Sequence, residues 1–311
     1  MHDTDRLLHG LDPARDASPV MTDAEAEALL ERITATARPT ARRVARRRPL
    51  MWVAGVAATA VVAVGAIGLI DGPGQRSAFA ATPTPLQLQG PEGTPAASVL
   101  RRLARAAERQ PAAAGGTTEH FSYETWSLFT RIDGEQVTSE VVPQRYETWQ
   151  KADGSTEQVV TWDGGQDKGS FPPKNDPQPP AAGGTDEMKH WILSQGDGKS
   201  AGAFLNRLNE RGLDTVLTPQ QVAGVLRALA TFEGVEYNGT VEDRSGRSGA
   251  AFSVESAFGG LPNKQTVIFD PLTGRLLAHE EMLTKDPGKL NVKIPSVIDY
   301  TTHVKSGYTT D

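Results

Sequence analysis

The stretch "QTVIFDPLTGRLLAHEEML", residues 265–283, is the clearest structural pattern in this chain. Two runs of alternating apolar residues flank the segment Asp270-Pro-Leu-Thr-Gly274, whose residue types favour a tight turn. Alternation of this kind places every second side chain on the same face of a strand. The stretch therefore predicts a β-hairpin, and Glu280 and Glu281, beside His279, are expected on a solvated strand face.

Similar hairpin signals precede this stretch in the chain. "EHFSYETWSLFTRIDGEQVTSEVV" (119–142) and "RYETWQKADGSTEQVVTW" (145–162) both alternate around an Asp-Gly pair, which is a strong short-range hairpin signal. We therefore expect an antiparallel meander over residues 118–163, followed by a loop over 163–186. Further strands are expected over residues 235–256 and 296–304.

Helical spacing separates these two groups of strands and also precedes the first. Residues 96–109 have an apolar face and follow Thr94-Pro95, a helix start signal. Ser200 and Thr218 are expected N-caps of two later helices, whereas "DEMKHWILSQ" (186–195) is compatible with helix or strand. The order of helix, strands, helices and strands predicts an α+β domain with an antiparallel sheet and packed helices.

A long apolar run lies before this domain. Leu50 to Ile70 are 21 residues without a charge; as a helix they would span about 31 Å, which matches the hydrocarbon core of a bilayer. Arginines at 42, 43, 46, 47 and 48 precede the run, so residues 1–48 are expected in the cytoplasm and the C-terminal part outside the cell. A single-pass protein of the cell membrane is the resulting expectation.

A cleaved signal peptide is the alternative reading of the same run. Ala78-Phe79-Ala80 fits a small-x-small cleavage pattern, which would release a mature chain beginning at Ala81. The apolar run is longer than the usual core of a signal peptide, and 49 residues precede it, so a retained anchor is favoured. The expected organisation is a cytoplasmic segment (1–48), a transmembrane helix (49–70), a Pro/Gly-rich linker (71–95) and an exported domain (96–311).

The cytoplasmic segment contains one short amphipathic helix signal. Thr22 and Glu25 form a capping-box pattern, and Leu29, Leu30 and Ile33 follow at helical spacing. Because one short helix cannot bury its apolar face alone, these three residues are a candidate face for a cytoplasmic partner, with the membrane surface or no partner as alternatives.

Charge and cysteine content limit the function of the exported part. The chain has a net charge of −6; residues 1–48 hold nine arginines and eight acidic residues, which leaves −7 for residues 71–311. An acidic domain is a poor binder of nucleic acid. The absence of cysteine excludes disulfides and thiolate chemistry.

Catalytic and metal-binding patterns are weak. Gly198-Lys199-Ser200-Ala201-Gly202 matches the nucleophile-elbow letters, but a helix N-cap explains Ser200 by itself. The six histidines show no i, i+4 pair typical of a zinc site. We therefore expect no enzyme activity, no metal and no cofactor. Phe121, Tyr123 and Trp126 are the candidate lining of a ligand groove, although alternating aromatics are more often core.

Several of these stretches resemble a family of actinobacterial single-pass membrane proteins that are often encoded beside extracytoplasmic-function sigma factors. The resemblance rests on the arginine run with the span, "ASVLRRLARAAERQP", "RYETWQKADGS", "LRALATFEGVEYNGTVEDRSGRSGAAFSV" and "FDPLTGRLLAHEEML". It implies an exported domain similar to the helix-plus-curved-sheet architecture of lipoprotein carriers and periplasmic regulators, without an activity that could be transferred.

Together these observations predict a membrane-anchored envelope protein without enzymatic activity. Its exported domain would bind a partner or an apolar ligand such as a lipid. A sigma factor or another regulator is the expected cytoplasmic partner. The alternative is an exported lipid-carrier or chaperone-like module that has no signalling role.

The topology can be tested with reporter fusions. Alkaline phosphatase is active only after export, so a fusion after Gly116 should be active and a fusion after Thr36 should be inactive. The opposite pattern would contradict the orientation. N-terminal sequencing of the membrane-extracted protein would show whether the chain starts at Ala81.

Overall fold

A computed structural model of the chain describes residues 79–309, apart from positions 89, 91–92, 113–114, 135, 175, 195 and 197. The predicted cytoplasmic helix, with Leu29, Leu30 and Ile33, and the predicted span over 49–70 lie outside the described residues. Within the described part of the chain, no helix has the length and apolar character needed to cross a bilayer.

The described chain forms one antiparallel sheet and four helices, which confirms the expected α+β class. In chain order the strands and helices alternate in groups, as the sequence pattern predicted. They are α1 (Ala96–Glu108), β1 (Thr118–Asp133), β2 (Gln136–Lys151), β3 (Thr156–Trp162), β4 (Gly165–Phe171), α2 (Thr185–Leu193), α3 (Ala201–Gly212), α4 (Pro219–Leu229), β5 (Glu236–Glu242), β6 (Ser248–Ser256), β7 (Asn263–Phe269), β8 (Leu276–Leu283) and β9 (Ser296–Thr309).

The nine strands have the order β4-β3-β2-β1-β9-β8-β7-β6-β5. Each group of strands is a meander, and β9 joins the two groups by pairing with both β1 and β8. The predicted loop over 163–186 is wrong at its start, because residues 165–171 form strand β4. This strand has no apolar alternation and is held by its pairing with the backbone of β3.

The helices pack on one face of the sheet, here called the front face. Their buried residues contact the front-face side chains of β6 and β7, and Phe252 and Phe269 are almost fully enclosed. The largest helix contribution comes from Leu100, Met188, Ile192, Phe204, Leu205, Leu226 and Leu229. This is the main core of the domain.

The opposite face, here called the back face, is covered in part by the extended segment 79–88. Leu86 and Leu88 pack against the back-face cluster that contains Ile268 and Tyr300. The Ala80 amide donates to the Asn291 carbonyl at 2.8 Å. Residues 79–88, part of the segment expected as a linker, therefore pack on the domain.

Two of the predicted helix caps and the turn glycines lie where the sequence placed them. The Ser200 hydroxyl accepts from the Ala203 amide, and Thr218 forms a capping box with Gln221. Gly134 and Gly154, each after an aspartate, have the positive φ that their tight turns require. The ambiguous stretch 186–195 is helical through Leu193. At the first helix, Pro95 rather than Thr94 is the N-cap residue.

A second, smaller core lies on the front face over β1 and β2. Phe121 and Tyr123 of β1 pack there against Leu213 and Val216, which belong to the connection between α3 and α4. Tyr123 stacks on Tyr146 of β2, with ring centroids 4.7 Å apart.

Truncation of two aromatic residues on the same face of β1 should have very different effects on stability. Tyr123 is 8% exposed and Phe129 is 50% exposed. Tyr123→Ala should lower the free energy of unfolding by about 3 kcal/mol, since it leaves a cavity in a closed core. Phe129→Ala should change it by less than about 0.5 kcal/mol. Urea denaturation would measure both; equal losses would contradict the packing.

Candidate functional site

The structure separates the three aromatic residues that the sequence singled out. Phe121 and Tyr123 lie on the front face and are buried beneath the connection between α3 and α4. Trp126 lies on the back face, where it packs edge-on against Tyr300 at 5.7 Å between ring centroids. These residues therefore do not line one groove.

A cavity of about 410 Å³ lies instead between the helices and the front face. Its volume is within the roughly 300–1,000 Å³ that small-molecule sites occupy. The inner wall consists of apolar side chains from α3, α4, β7 and β8 and from the α3–α4 connection. They are Leu208, Leu217, Val222, Val225, Phe269 and Leu276.

The opposite end of this cavity is open to solvent. Gln110 and Pro111, just after α1, lie there with Val304 and Lys305 of β9. Pro111, Val304 and Lys305 are exposed, whereas Leu208, Val225 and Phe269 at the inner end are buried. The cavity therefore has an apolar interior and an exposed mouth of mixed character.

Arg247, in the turn between β5 and β6, forms part of the cavity wall. Its Nε donates to Asp243 Oδ2 at 2.8 Å, and its terminal nitrogens donate to the carbonyls of His303 at 2.6 Å and Leu277 at 2.9 Å. Asp243 has no exposed side-chain surface. This guanidinium is consequently fixed in place, and a carboxylate balances its charge.

Arg275, the first residue after the hairpin turn of β7 and β8, has a different environment. Its Nη1 donates to the Ser306 carbonyl at 3.0 Å, and Ser306 is itself part of the cavity wall. Within residues 79–309, no described carboxylate lies within ion-pair distance of this guanidinium. Arg275 therefore brings an unbalanced positive charge to the wall.

Two histidines on the front face are buried, and one of them lines the cavity. His303 lines it and bonds through Nε2 to Asn209 Oδ1 at 2.9 Å. Burial, and next the charge of Arg247, lower the pKa of His303 to about 4. His279 bonds to Gln265 Oε1 at 2.6 Å, and burial lowers its pKa to about 3. Both imidazoles are thus neutral near pH 7.

The expectation that Glu280 and Glu281 are solvated is wrong. Glu280 is buried on the back face, where its carboxylate pairs with Arg244 at 2.7 Å and accepts from the Leu86 amide. Glu281 is half-buried on the front face opposite Asp299, and burial and the Asp299 charge raise its pKa. The residues sit on opposite faces because adjacent residues of a strand alternate.

Metal binding has no evident site in the described residues. No group of three or more histidine and acidic side chains is placed there to hold an ion. Glu281 and Asp299 form only a pair, and their carboxylates already accept from Asn263 and Ser127.

A wider depression of about 630 Å³ lies on the back face of β1–β4. Its lining is mainly polar and includes the ion pair of Lys151 with Glu157 at 2.6 Å. The front-face cavity is the better candidate site, because an apolar wall and charged side chains meet in it.

The sequence patterns did not indicate Arg247 or Arg275 as site residues. Both arginines directly follow a glycine in a hairpin turn, and such a position is ordinarily solvated. One shared feature could have indicated them. The β5–β6 turn and the β7–β8 turn each contain a Gly-Arg pair, and both turns lie at the same end of the sheet.

The buried histidines should make the protein less stable in weak acid. The folded pKa of His279 is far below its ordinary 6.5, so its contribution to stability is complete above pH 6.5 and is lost as the pH falls. Between pH 6.5 and 5 the loss for one such group is about 2 kcal/mol. His279→Gln should remove that part of the pH dependence in urea denaturation.

His190→Gln is the matched control, because His190 is exposed on α2. It should reproduce the pH dependence of the wild type. The carboxyl groups whose pKa is raised, including Asp299, act in the opposite direction, but they are present in all three proteins. An unchanged pH dependence in His279→Gln would contradict the buried neutral state.

Comparison with known proteins adds a fold-level likeness only. No family model matches the chain, and no curated protein matches it. The chain is similar to a crystal structure described as an outer membrane lipoprotein-sorting protein domain from Vibrio parahaemolyticus. That match covers 69% of this chain and 94% of the other, with 9% identity and a TM-score of 0.22. At this TM-score the likeness supports no transfer of function.

Proposed function

We propose that the domain binds an elongated apolar molecule, such as a single acyl chain, in the cavity between its helices and the front face. The observation that carries this proposal is the apolar inner wall built by two helices and two strands around about 410 Å³. The candidate groove of Phe121, Tyr123 and Trp126 has no part in it.

The energetics of such a site favour a chain-like ligand. Each methylene group that moves from water into an apolar wall contributes about 0.8 kcal/mol. A chain with ten or more buried methylenes would therefore offset the entropy lost on association, which costs several kcal/mol. A compact polar metabolite would leave Leu208, Val225 and Phe269 without apolar contacts and would gain little.

The apolar run before the domain supports a location at the outer face of the cell membrane. In this proposal the retained span keeps the cavity near a source of acyl chains, and the lipoprotein-carrier-like architecture expected from the family resemblance agrees with that role. A carrier that is released by cleavage after Ala80 is the alternative form. The signalling link rests on Leu29, Leu30 and Ile33, outside the described residues, and stays a prediction.

Photocrosslinking of the full chain in isolated membranes tests the proposal. The probe is a palmitic acid analogue with a diazirine in its chain, and mass spectrometry locates the adducts. We expect adducts on the peptides that contain Leu217, Val222 and Val225. Leu217→Trp should reduce them by about tenfold or more, because the larger ring occupies the inner cavity, while labelling of residues 50–70 reports the probe in the bilayer.

Leu272→Trp is the matched control for this experiment. Leu272 is 73% exposed at the tip of the β7–β8 hairpin, so the same substitution there should leave the adducts unchanged. If the wild type gives adducts on residues 50–70 and none on the cavity peptides, the domain does not take up the chain and the proposal is wrong.

A further inference from the structure

The wall of the cavity carries more positive than negative charge. Three cations line it, namely Arg247, Arg275 and Lys305, and Asp270 is the acidic residue among the lining side chains. Even when Asp243, the partner of Arg247, is included, one positive charge is in excess. This excess is notable in a domain whose net charge is strongly negative.

The excess charge is not located at Arg247. That guanidinium donates to Asp243, His303 and Leu277, so its charge and most of its donors are already used. Asp270 is also engaged, because its Oδ1 accepts the amides of Leu272 and Thr273 within the hairpin turn. Neither group is available to a ligand.

Arg275 retains the capacity to bind an anion. A guanidinium has five N–H donors in a planar fork, and one of them bonds to the Ser306 carbonyl. The remaining donors have no acceptor among the described residues. Because Ser306 lines the cavity, the bond to its carbonyl places the guanidinium at the cavity wall.

The position of Arg275 relative to the apolar wall gives the ligand a direction. Leu276, the next residue, belongs to the apolar wall, and Lys305 precedes Ser306 at the exposed mouth. An apolar chain in the interior would therefore present its end to Arg275 and Lys305. The lowered pKa of His303, caused in part by Arg247, agrees with a positive potential in this region.

We infer that the ligand of the cavity is a single-chain amphiphile with an anionic head, a carboxylate or a phosphate, which pairs with Arg275. This inference rests on the proposed function, since it names the class of molecule that the cavity takes. Planar guanidinium groups bind both kinds of head through paired hydrogen bonds.

The test compares probes that share a chain and differ in the head. Diazirine analogues of palmitic acid, of the corresponding alcohol and of a palmitoyl lysophosphatidic acid are crosslinked to the full chain in membranes, and each signal is divided by that of residues 50–70. We expect the acid or the lysophosphatidic acid to label the cavity peptides about tenfold more than the alcohol does. The stronger of these two identifies the head.

Arg275→Gln should reduce labelling by the anionic probes to that of the alcohol and leave the alcohol signal unchanged, which also shows that the cavity is intact. Arg275→Lys keeps the charge and should retain part of the preference. Arg101→Gln, an exposed arginine of α1, is the matched control and should behave as the wild type does.

The outcomes separate this inference from the proposed function. Equal labelling of the cavity by all three probes in the wild type would overturn the anionic head and leave the apolar-chain proposal standing. An anionic preference that persists in Arg275→Gln would overturn the assignment to Arg275. If none of the probes labels the cavity while residues 50–70 are labelled, the proposed function itself fails.

Discussion

The guanidinium of Arg247 links three segments beside the cavity: the β5–β6 turn, β8 and β9. It bonds to Asp243 in its own turn and to the carbonyls of Leu277 in β8 and His303 in β9. Both carbonyls lie where the strand registers shift. A bulge leaves backbone groups outside the ladder and bends the strand, and a buried carbonyl without a donor would be costly. Arg247 supplies the donors, so the two bends can coexist beside the cavity.

The two halves of the sheet differ in what their front faces can bury. β6 and β7 present Phe252, Val267 and Phe269 to the helices, and this apolar surface forms the main core. On the same face β2 and β3 mix Tyr146, Val160 and Trp162 with the polar Gln144, Thr148 and Gln158, and Gln158 bonds to Thr148 at 3.2 Å. A face of this mixed character stays partly in water, and Trp162 is 38% exposed. The helices therefore collect over one half, and the cavity forms at the border of that half.

Local signals in the sequence were sufficient for most elements of the fold. The Asp-Gly pairs and the caps Ser200 and Thr218 act within a few residues, so their effect is readable from the chain alone. Strand β4 could not be predicted this way, because Gly165–Phe171 has no apolar face and depends on a neighbouring backbone. Local alternation likewise could not show that Glu280 meets Arg244, a contact that requires β5 and β8 to be in one sheet.

The candidate site was less predictable than the fold for the same reason. Arg275 and Ser306 are 31 positions apart, and their contact exists only because β9 pairs with β8. Phe121 and Tyr123, which the sequence suggested as part of a ligand groove, are core residues instead, because they pack against Val216 in the small core. A cavity wall assembled from helix ends, a connection and two bulges has no local signature of its own.

The hairpin of β7 and β8 forms the side of the cavity that packs against α1 and α4. Gly274 in its turn has φ +69°, and an added Cβ would lie 2.8 Å from Leu226 and 3.1 Å from Ala107. Only glycine therefore allows this turn to fit so closely against α1 and α4. The hairpin therefore forms one side of the cavity, and its tip contacts the mouth, where the Leu272 carbonyl accepts from the Gln110 side chain at 3.0 Å. An entering chain would pass its apolar end inward and leave its head last, beside Arg275.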